Sequence, residues 1–359
     1  MSFRYVAATL AILSAATLAS PTLAASGAVY TMANAAGPNA VIVFSRASNG
    51  TLVQSQSVLT GGTGTGAGLD SQGSIALSRD GRWLLAVNAG SNDVTVLSAA
   101  GTALTAVSTQ ASGGVMPISV TVHNDTVFVL NAGGTPNITG FHLTGAGVLV
   151  PIPSVQKVLT GTGPAEVSFN RDGTLLAVTE KTSNTIVVFS IDSGKLIGPF
   201  ISASAGQEPF GFAFGPHNLL LVSEAFNGAQ NGSAVSSYQA DSGGGLRLIT
   251  ASSPTTQTAA CWLVVTANGR FAYTDNTGSS TVSSFAVAQD GSLALLNGTA
   301  GSTPAETSPI DLALSADSQY LYSLASGTIS EFEVAADGSL SPIGSITGLP
   351  ASTVGLQAQ

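Results

Sequence analysis

One pattern recurs along this chain about every 45 to 50 residues: a β-type apolar run, an Asp-Gly or Asn-Gly pair, and a second β-type run. It reads Gly73-Ser-Ile-Ala-Leu-Ser-Arg-Asp-Gly81 before Trp83-Leu-Leu-Ala-Val87, and Ala165-Glu-Val-Ser-Phe-Asn-Arg-Asp-Gly173 before Leu175-Leu-Ala-Val178. It returns as Trp262-Leu-Val-Val-Thr-Ala-Asn-Gly269 before Arg270-Phe-Ala-Tyr273. A period of this length made only of strands and turns marks an all-β β-propeller, in which each repeat folds as one blade. No repeat holds a 3.6-residue apolar period long enough for a helix, which argues against a stack of βαβ units.

Aligning the first apolar run of each repeat gives six innermost strands, near residues 74–77, 118–122, 166–169, 210–214, 262–265 and 310–314. A seventh copy closes the chain, where residues 349–356 echo residues 308–314. The N-terminal repeat instead begins with second-strand material, Val29-Tyr-Thr-Met32. The economical solution is that the C-terminal strand completes the N-terminal blade, which leaves no open edge in the ring. Seven blades follow. Third strands read Val41-Ile-Val-Phe44, Val94-Thr-Val-Leu97 and Thr185-Ile-Val-Val-Phe189, and Asn49-Gly50, Asp290-Gly291 and Asp337-Gly338 supply positive-φ turns into fourth strands. Two hairpin turns per repeat make four antiparallel strands per blade. Phe210, Phe212 and Phe214 alternate with Gly211 and Ala213, so these rings are expected in the core between blades.

Residues 1–25 carry Arg4, an apolar stretch from Val6 to Leu18, and small residues around Ala24 and Ala25. That order describes a cleaved secretory signal peptide, and the apolar core is short for a membrane span of ~20 residues. A secreted or periplasmic single domain over residues 26–359 is expected. Only 8% of residues are charged, against a usual share of ~25%, so Ser, Thr, Asn, Gln and Gly must cover the surface. A net charge of −9 leaves no basic footprint for nucleic acid. The lone cysteine, Cys261, rules out an internal disulfide. A monomer that binds a small molecule fits this composition. Asn-x-Ser/Thr sequons at Asn49, Asn124, Asn137, Asn231 and Asn297 would carry sugar only in a eukaryotic host.

In such a blade the approach to the first strand and the second-to-third-strand loop share one rim, and the Asp-Gly turns share the other. The first rim gathers Gln72 with Asn88, Pro117 with Asn131, Glu166 with Glu180, Glu208 with Glu224, Cys261 with Asp275, and Asp311. An acidic, amide-rich funnel mouth is therefore expected there, with Trp262 beside it. His123 and His217 fall at turns of the opposite rim and His142 in a third strand, so no imidazole is placed to activate Cys261.

Several segments resemble the secreted members of the seven-bladed lactonase family, which includes bacterial 6-phosphogluconolactonase and fungal carboxymuconate-lactonising enzyme. They are Gly163-Pro-Ala-Glu166 with Thr179-Glu180-Lys181, Glu208-Pro-Phe-Gly-Phe-Ala-Phe214 with Val222-Ser-Glu-Ala225, Thr258-Ala-Ala-Cys-Trp262, and Gly348-Leu-Pro350 to Gly355-Leu356. The resemblance spans nearly all of residues 26–359. The family's His-Pro-His run is here Ser71-Gln72-Gly73-Ser74, and its Gly-Pro-Arg-His motif is Gly163-Pro164-Ala165-Glu166. The family's imidazole and guanidinium groups are thus missing, while the carboxylate of its Asn-Glu pair survives as Glu180.

What the resemblance implies is opening of a small non-phosphorylated lactone by water. Glu180 would be general base, and Glu166, Glu208 or Glu224 acid or metal ligand. Asn88, Asn131, Glu208, Trp262, Asp275 and Asp311 would contact the substrate. The rim's oxygens are also of the kind Ca²⁺ accepts. The alternative is a non-catalytic binding propeller of the repeat type whose second strands end in Val-x-Asn, as in Ala86-Val87-Asn88.

Overall fold

Seven antiparallel sheets, one per repeat, stand side by side around a central axis. The computed structural model describes Met1, residues 25–192 and residues 194–359. The expected signal peptide lies outside these residues except at its two ends. Blades 2 to 7 begin with the inner strands Ile75–Leu77, Val115–His123, Pro164–Phe169, Pro209–Phe214, Ala260–Val265 and Asp311–Leu314. Each is followed in sequence by a second, third and outer strand, as in Leu175–Glu180, Thr185–Asp192 and Lys195–Ala203 of blade 4. In blade 3 the outer position is divided between Leu149–Pro151 and Lys157–Val158, both paired to Asn137–Leu143. Pro151 and Pro153 flank that break, where a continuous ladder would lack two donors.

Ring closure follows the sequence expectation. Val354–Ala358 pairs antiparallel with Ala25–Met32 and becomes the inner strand of blade 1. Thr31 Oγ1 donates to the Gly355 carbonyl at 2.6 Å, and Arg46 Nε donates to the Gln359 carbonyl at 2.9 Å. Residues 25–32 and 354–358 are therefore bound into one sheet, and the ring has no first or last edge.

Large side chains meet small ones wherever neighbouring blades pack. Tyr320, Phe271 and Trp83 each start a second strand, and each lies against the turn glycine of the next blade's outer hairpin, Gly50, Gly338 and Gly147. Those glycines hold φ of 85°, 85° and 76°, so the turn and the absent side chain are both required. Phe212 and Phe214 fill the seam between blades 4 and 5 with Leu175, Ala177 and Val188, as their alternation suggested. A ring buried this way contributes about 1.5–3 kcal/mol. Phe210 is the exception. A register shift between Pro209 and Phe212 sends it into a separate cluster with Trp262 and Ala165. Among the described residues no helix is long and apolar enough to cross a membrane.

Candidate functional site

The approach to four inner strands is bulged. Register shifts fall at Pro117/Ser119, Pro164/Glu166, Pro209/Phe212 and Ala260/Trp262. The residue before each shift has positive φ: Met116 at 56°, Gly163 at 70°, Glu208 at 57° and Ala259 at 56°. Turn asparagines support two of these bends, Asn92 accepting from the Met116 N–H at 2.7 Å and Asn184 from the Glu208 N–H at 2.6 Å. A bulge inserts one residue and re-aims the side chains beside it. Position along the repeat therefore does not by itself tell which side chains face the axis.

The second strands of blades 2 to 6 carry, at or within two residues of their ends, a buried polar residue that ties the strand to its neighbour or to the incoming loop. Asn88 donates to Asp93 Oδ1 and Thr95 Oγ1 and accepts from Asn39 and Thr60. Asn131 donates to Asn137 Oδ1 at 3.1 Å, and Asn276 donates to Ser283 Oγ at 2.8 Å. Glu180 and Glu224 occupy this same position. Glu180 accepts from the Gly161 N–H at 3.1 Å and from Thr185 Oγ1 at 2.6 Å. Glu224 accepts from the Gly206 N–H at 2.8 Å, from Ser252 at 2.7 Å and from Ser236. Side chains on Gly161 and Gly206 would collide with these carboxylates. Burial pushes the Glu224 carboxyl above its usual range against those donors. None of Asn88, Asn131, Glu180 and Glu224 lines the central channel.

The first rim is closed by the loop leading into blade 2. Gln72 reaches across the ring to blade 6, where Nε2 donates to the Leu263 carbonyl at 2.9 Å and Oε1 accepts from the Leu263 N–H at 3.0 Å. Trp262 Nε1 donates to the Ser71 carbonyl at 3.0 Å, and Ser71 Oγ to the Ile118 carbonyl at 2.9 Å. The Gln72 N–H reaches the Ala165 carbonyl at 3.1 Å. Lys181 pairs with Asp70 and rests 4.3 Å from the Phe210 ring centre, which in turn packs on Trp262 at 4.9 Å. Gly211 passes so close to Gln72 that a methyl group there would overlap its amide oxygen. The expected funnel mouth is a plug. Ser71, Gln72 and Ala165, which stand where the family motifs have other residues, take part in it.

Beneath the plug lies a channel of about 370 Å³, lined by all seven inner strands. Its plugged end holds Gln72, Glu166 and Asp311, and its walls mix apolar side chains such as Ala76, Val264 and Leu314 with polar ones such as Thr121 and Ser168. Glu166 Oε2 accepts from the Phe212 N–H at 2.7 Å. Asp311 Oδ1 accepts from its neighbour's N–H, that of Leu312, at 2.8 Å. Burial pushes both carboxyls well above their ordinary range, and the Asp311 charge raises Glu166 further. At the opposite rim Arg171 borders the channel, tied to the carbonyls of Phe214, Thr266 and Ala267. Sequence reasoning missed Arg171 as a mouth residue. Its signal was the shared Arg-Asp-Gly of residues 79–81 and 171–173.

The remaining rim residues lie apart from this cavity. Asp275 sits in the seam between blades 6 and 7, accepting from Ser323 at 3.0 Å, and burial raises its carboxyl strongly. Glu208 accepts from the Asn227 N–H at 2.6 Å beside the plug. Burial pushes the Cys261 thiol up to about 12, which leaves no thiolate near neutral pH. Among the described residues no three or more His, Cys, Asp or Glu side chains gather to hold a metal. The acids considered for Ca²⁺ lie apart, with Glu180, Glu224 and Asp275 in or beside seams, Glu208 beside the plug and Glu166 in the channel.

Comparison with known proteins agrees with this architecture. No curated protein sequence matches the chain. A solved structure proposed to be a 6-phosphogluconolactonase from Bacteroides fragilis is 18% identical, with a TM-score of 0.74, covering 95% of this chain and 100% of its own. The periplasmic gluconolactonase PpgL of Pseudomonas aeruginosa is 15% identical, with a TM-score of 0.71, covering 92% of this chain and 99% of its own. At such identities the likeness speaks for the fold. The family described as "Lactonase, 7-bladed beta-propeller" matches residues 37–145, 134–261 and 229–352. With its seven blades closed by the C-terminal strand, the chain belongs to that lactonase family.

Proposed function

We propose that this protein opens a small, non-phosphorylated lactone in the central channel, entered from the rim of Asp-Gly turns. The observation that supports this reading is that two buried carboxyls, Glu166 and Asp311, line the plugged end of a channel of about 370 Å³, with the Asp311 charge acting on Glu166. Two carboxyls in one low-dielectric site do not ionise together, so near neutral pH one keeps its proton. Asp311 accepts backbone N–H groups of Leu312 and Leu356, which favours its ionised form, and Glu166 is then the acid. Asp311 takes a proton from water as the water oxygen bonds to the acyl carbon. The ring C–O bond breaks, and Glu166 supplies a proton to the departing oxygen. Glu166 and Asp311 line the plugged end of the channel and no cation stands beside them there, so a phosphate would meet two carboxyl groups without a compensating charge.

A second reading, a propeller that binds such a compound without opening it, is favoured by the plug, which occupies the rim with a fully paired amide. A panel of aliphatic and aromatic lactones distinguishes the two. Under the catalytic reading, turnover exceeds the buffer rate and falls about 10²-fold or more in Glu166→Gln and in Asp311→Asn. Absence of turnover, with a melting temperature raised by a lactone, establishes the binder. Neither effect across the panel removes the channel as a lactone site. Export with cleavage near Ala24 or Ala25 belongs to the same proposal, and N-terminal sequencing of the mature protein checks it.

A further inference from the structure

A second cleft opens on the Asp-Gly rim between blades 2 and 3, separate from the channel, with a volume of about 750 Å³. It is lined by Arg79, Arg82 and Trp83 on one side and Asn124, Asp125 and His142 on the other. Six arginines occur beyond residue 25, namely Arg46, Arg79, Arg82, Arg171, Arg247 and Arg270. Arg46 and Arg171 donate to backbone carbonyls. Among the described residues neither guanidinium of Arg79 and Arg82 donates a hydrogen bond to the protein, and neither does the Trp83 indole N–H. Arg82 lies 5.6 Å from the Trp83 ring centre. One edge of that ring packs on Gly147, yet the residue remains partly exposed, unlike the buried Phe271 and Tyr320 at the same repeat position.

Two carboxylates face the cleft, and both are engaged. Asp80 accepts from Ser78 Oγ at 2.6 Å and from the Arg82 N–H at 3.1 Å, besides feeling the Arg82 charge. Asp125 lies 3.4 Å from His142 Nδ1. The cleft thus presents an aromatic face, an indole donor and two forked cations, in a protein where charge is scarce. We infer that it binds a carboxylate-bearing sugar. The pyranose ring would stack on Trp83, and the carboxylate would take the paired N–H groups of Arg79 and Arg82.

The test is calorimetric titration of the folded full-length protein with trigalacturonate, with maltotriose as the neutral sugar and inorganic phosphate as the sugarless anion. Binding of trigalacturonate that weakens with added salt, with maltotriose and phosphate each at least about tenfold weaker, is the expected result. The Arg79→Gln/Arg82→Gln variant should lose about tenfold or more, and Trp83→Phe should lose less while removing the ligand-induced fluorescence change. Equal affinity for maltotriose or phosphate, unchanged affinity in the arginine variant, or no binding at about 10 mM overturns the inference. Melting curves of both variants, expected to match wild type, show that the fold is intact. Should the arginine variant melt early, Arg79→Lys and Arg82→Lys carry the test, since a point charge without the fork should still weaken binding.

Discussion

The side-chain amide of Gln72 bonds to Leu263 as a neighbouring β-strand would, giving one hydrogen bond to its carbonyl and taking one from its N–H, at 2.9 and 3.0 Å. These residues are 191 positions apart and belong to blades 2 and 6, so a single side chain braces the ring across its own axis. Replacing Gln72 by Ala leaves a buried donor and acceptor at Leu263 without partners. The expected loss is about 2–6 kcal/mol, from about 1–3 for each of the two orphaned groups, read by urea denaturation at neutral pH. Gln72→Glu should be comparably harmful, because a carboxylate cannot donate to the Leu263 carbonyl. A variant as stable as wild type would show that the brace is decorative.

Glu180 is held by the Gly161 N–H and the Thr185 hydroxyl, and its expected role is structural. Glu180→Ala removes the acceptors of the Gly161 N–H and the Thr185 hydroxyl and should destabilise by about 1–3 kcal/mol. Glu180→Gln keeps an acceptor of the same shape, so its lactone turnover should stay within about threefold of wild type, against the much larger loss expected for Glu166→Gln. A large loss of turnover in Glu180→Gln, with stability unchanged, would return the catalytic role to Glu180.

Stability should fall as pH rises through the weakly acidic range. Glu331 accepts from the Leu52 N–H at 3.3 Å across the seam that closes the ring, and burial raises its carboxyl from 4.5 to about 7. A folded pKa above the unfolded one means that the native state holds the extra proton between those values. The stabilising contribution is complete below pH 4.5 and is lost as pH climbs to about 7. Glu166, Asp275 and Asp311 act in the same direction. Melting temperature should therefore decline from pH 5 to pH 8, and Glu331→Gln should flatten part of that slope and melt above wild type at pH 8. A wild-type curve that rises over this range contradicts the assignment.

Removing residues 354–359 should prevent a stable fold. That segment supplies the inner strand of blade 1, the Gly355 carbonyl for Thr31 and the Gln359 carbonyl for Arg46. Without it two blades lose their shared boundary and an edge strand is exposed. Limited proteolysis compares the two chains directly. A truncated protein as resistant as the full one would mean that the ring holds without its clasp.

Strand count, turn positions, the seven repeats and the clasp between chain ends are all written in the sequence, because period-two alternation and Asn-Gly or Asp-Gly turns are local features. The direction of the rim side chains is not. Bulges beside Pro117, Pro164 and Pro209 reset the alternation where Glu166 and Phe210 emerge, and the recurring proline is their local trace. Glu180 and Glu166 lie in one repeat and read alike as rim acids. Tertiary packing alone turns the first into a seam staple and the second toward the axis, since each direction depends on donors brought by neighbouring segments and blades. The plug shows the same division. Nothing near Gln72 in the chain announces Leu263, and only ring closure brings their backbone and side-chain amides within reach.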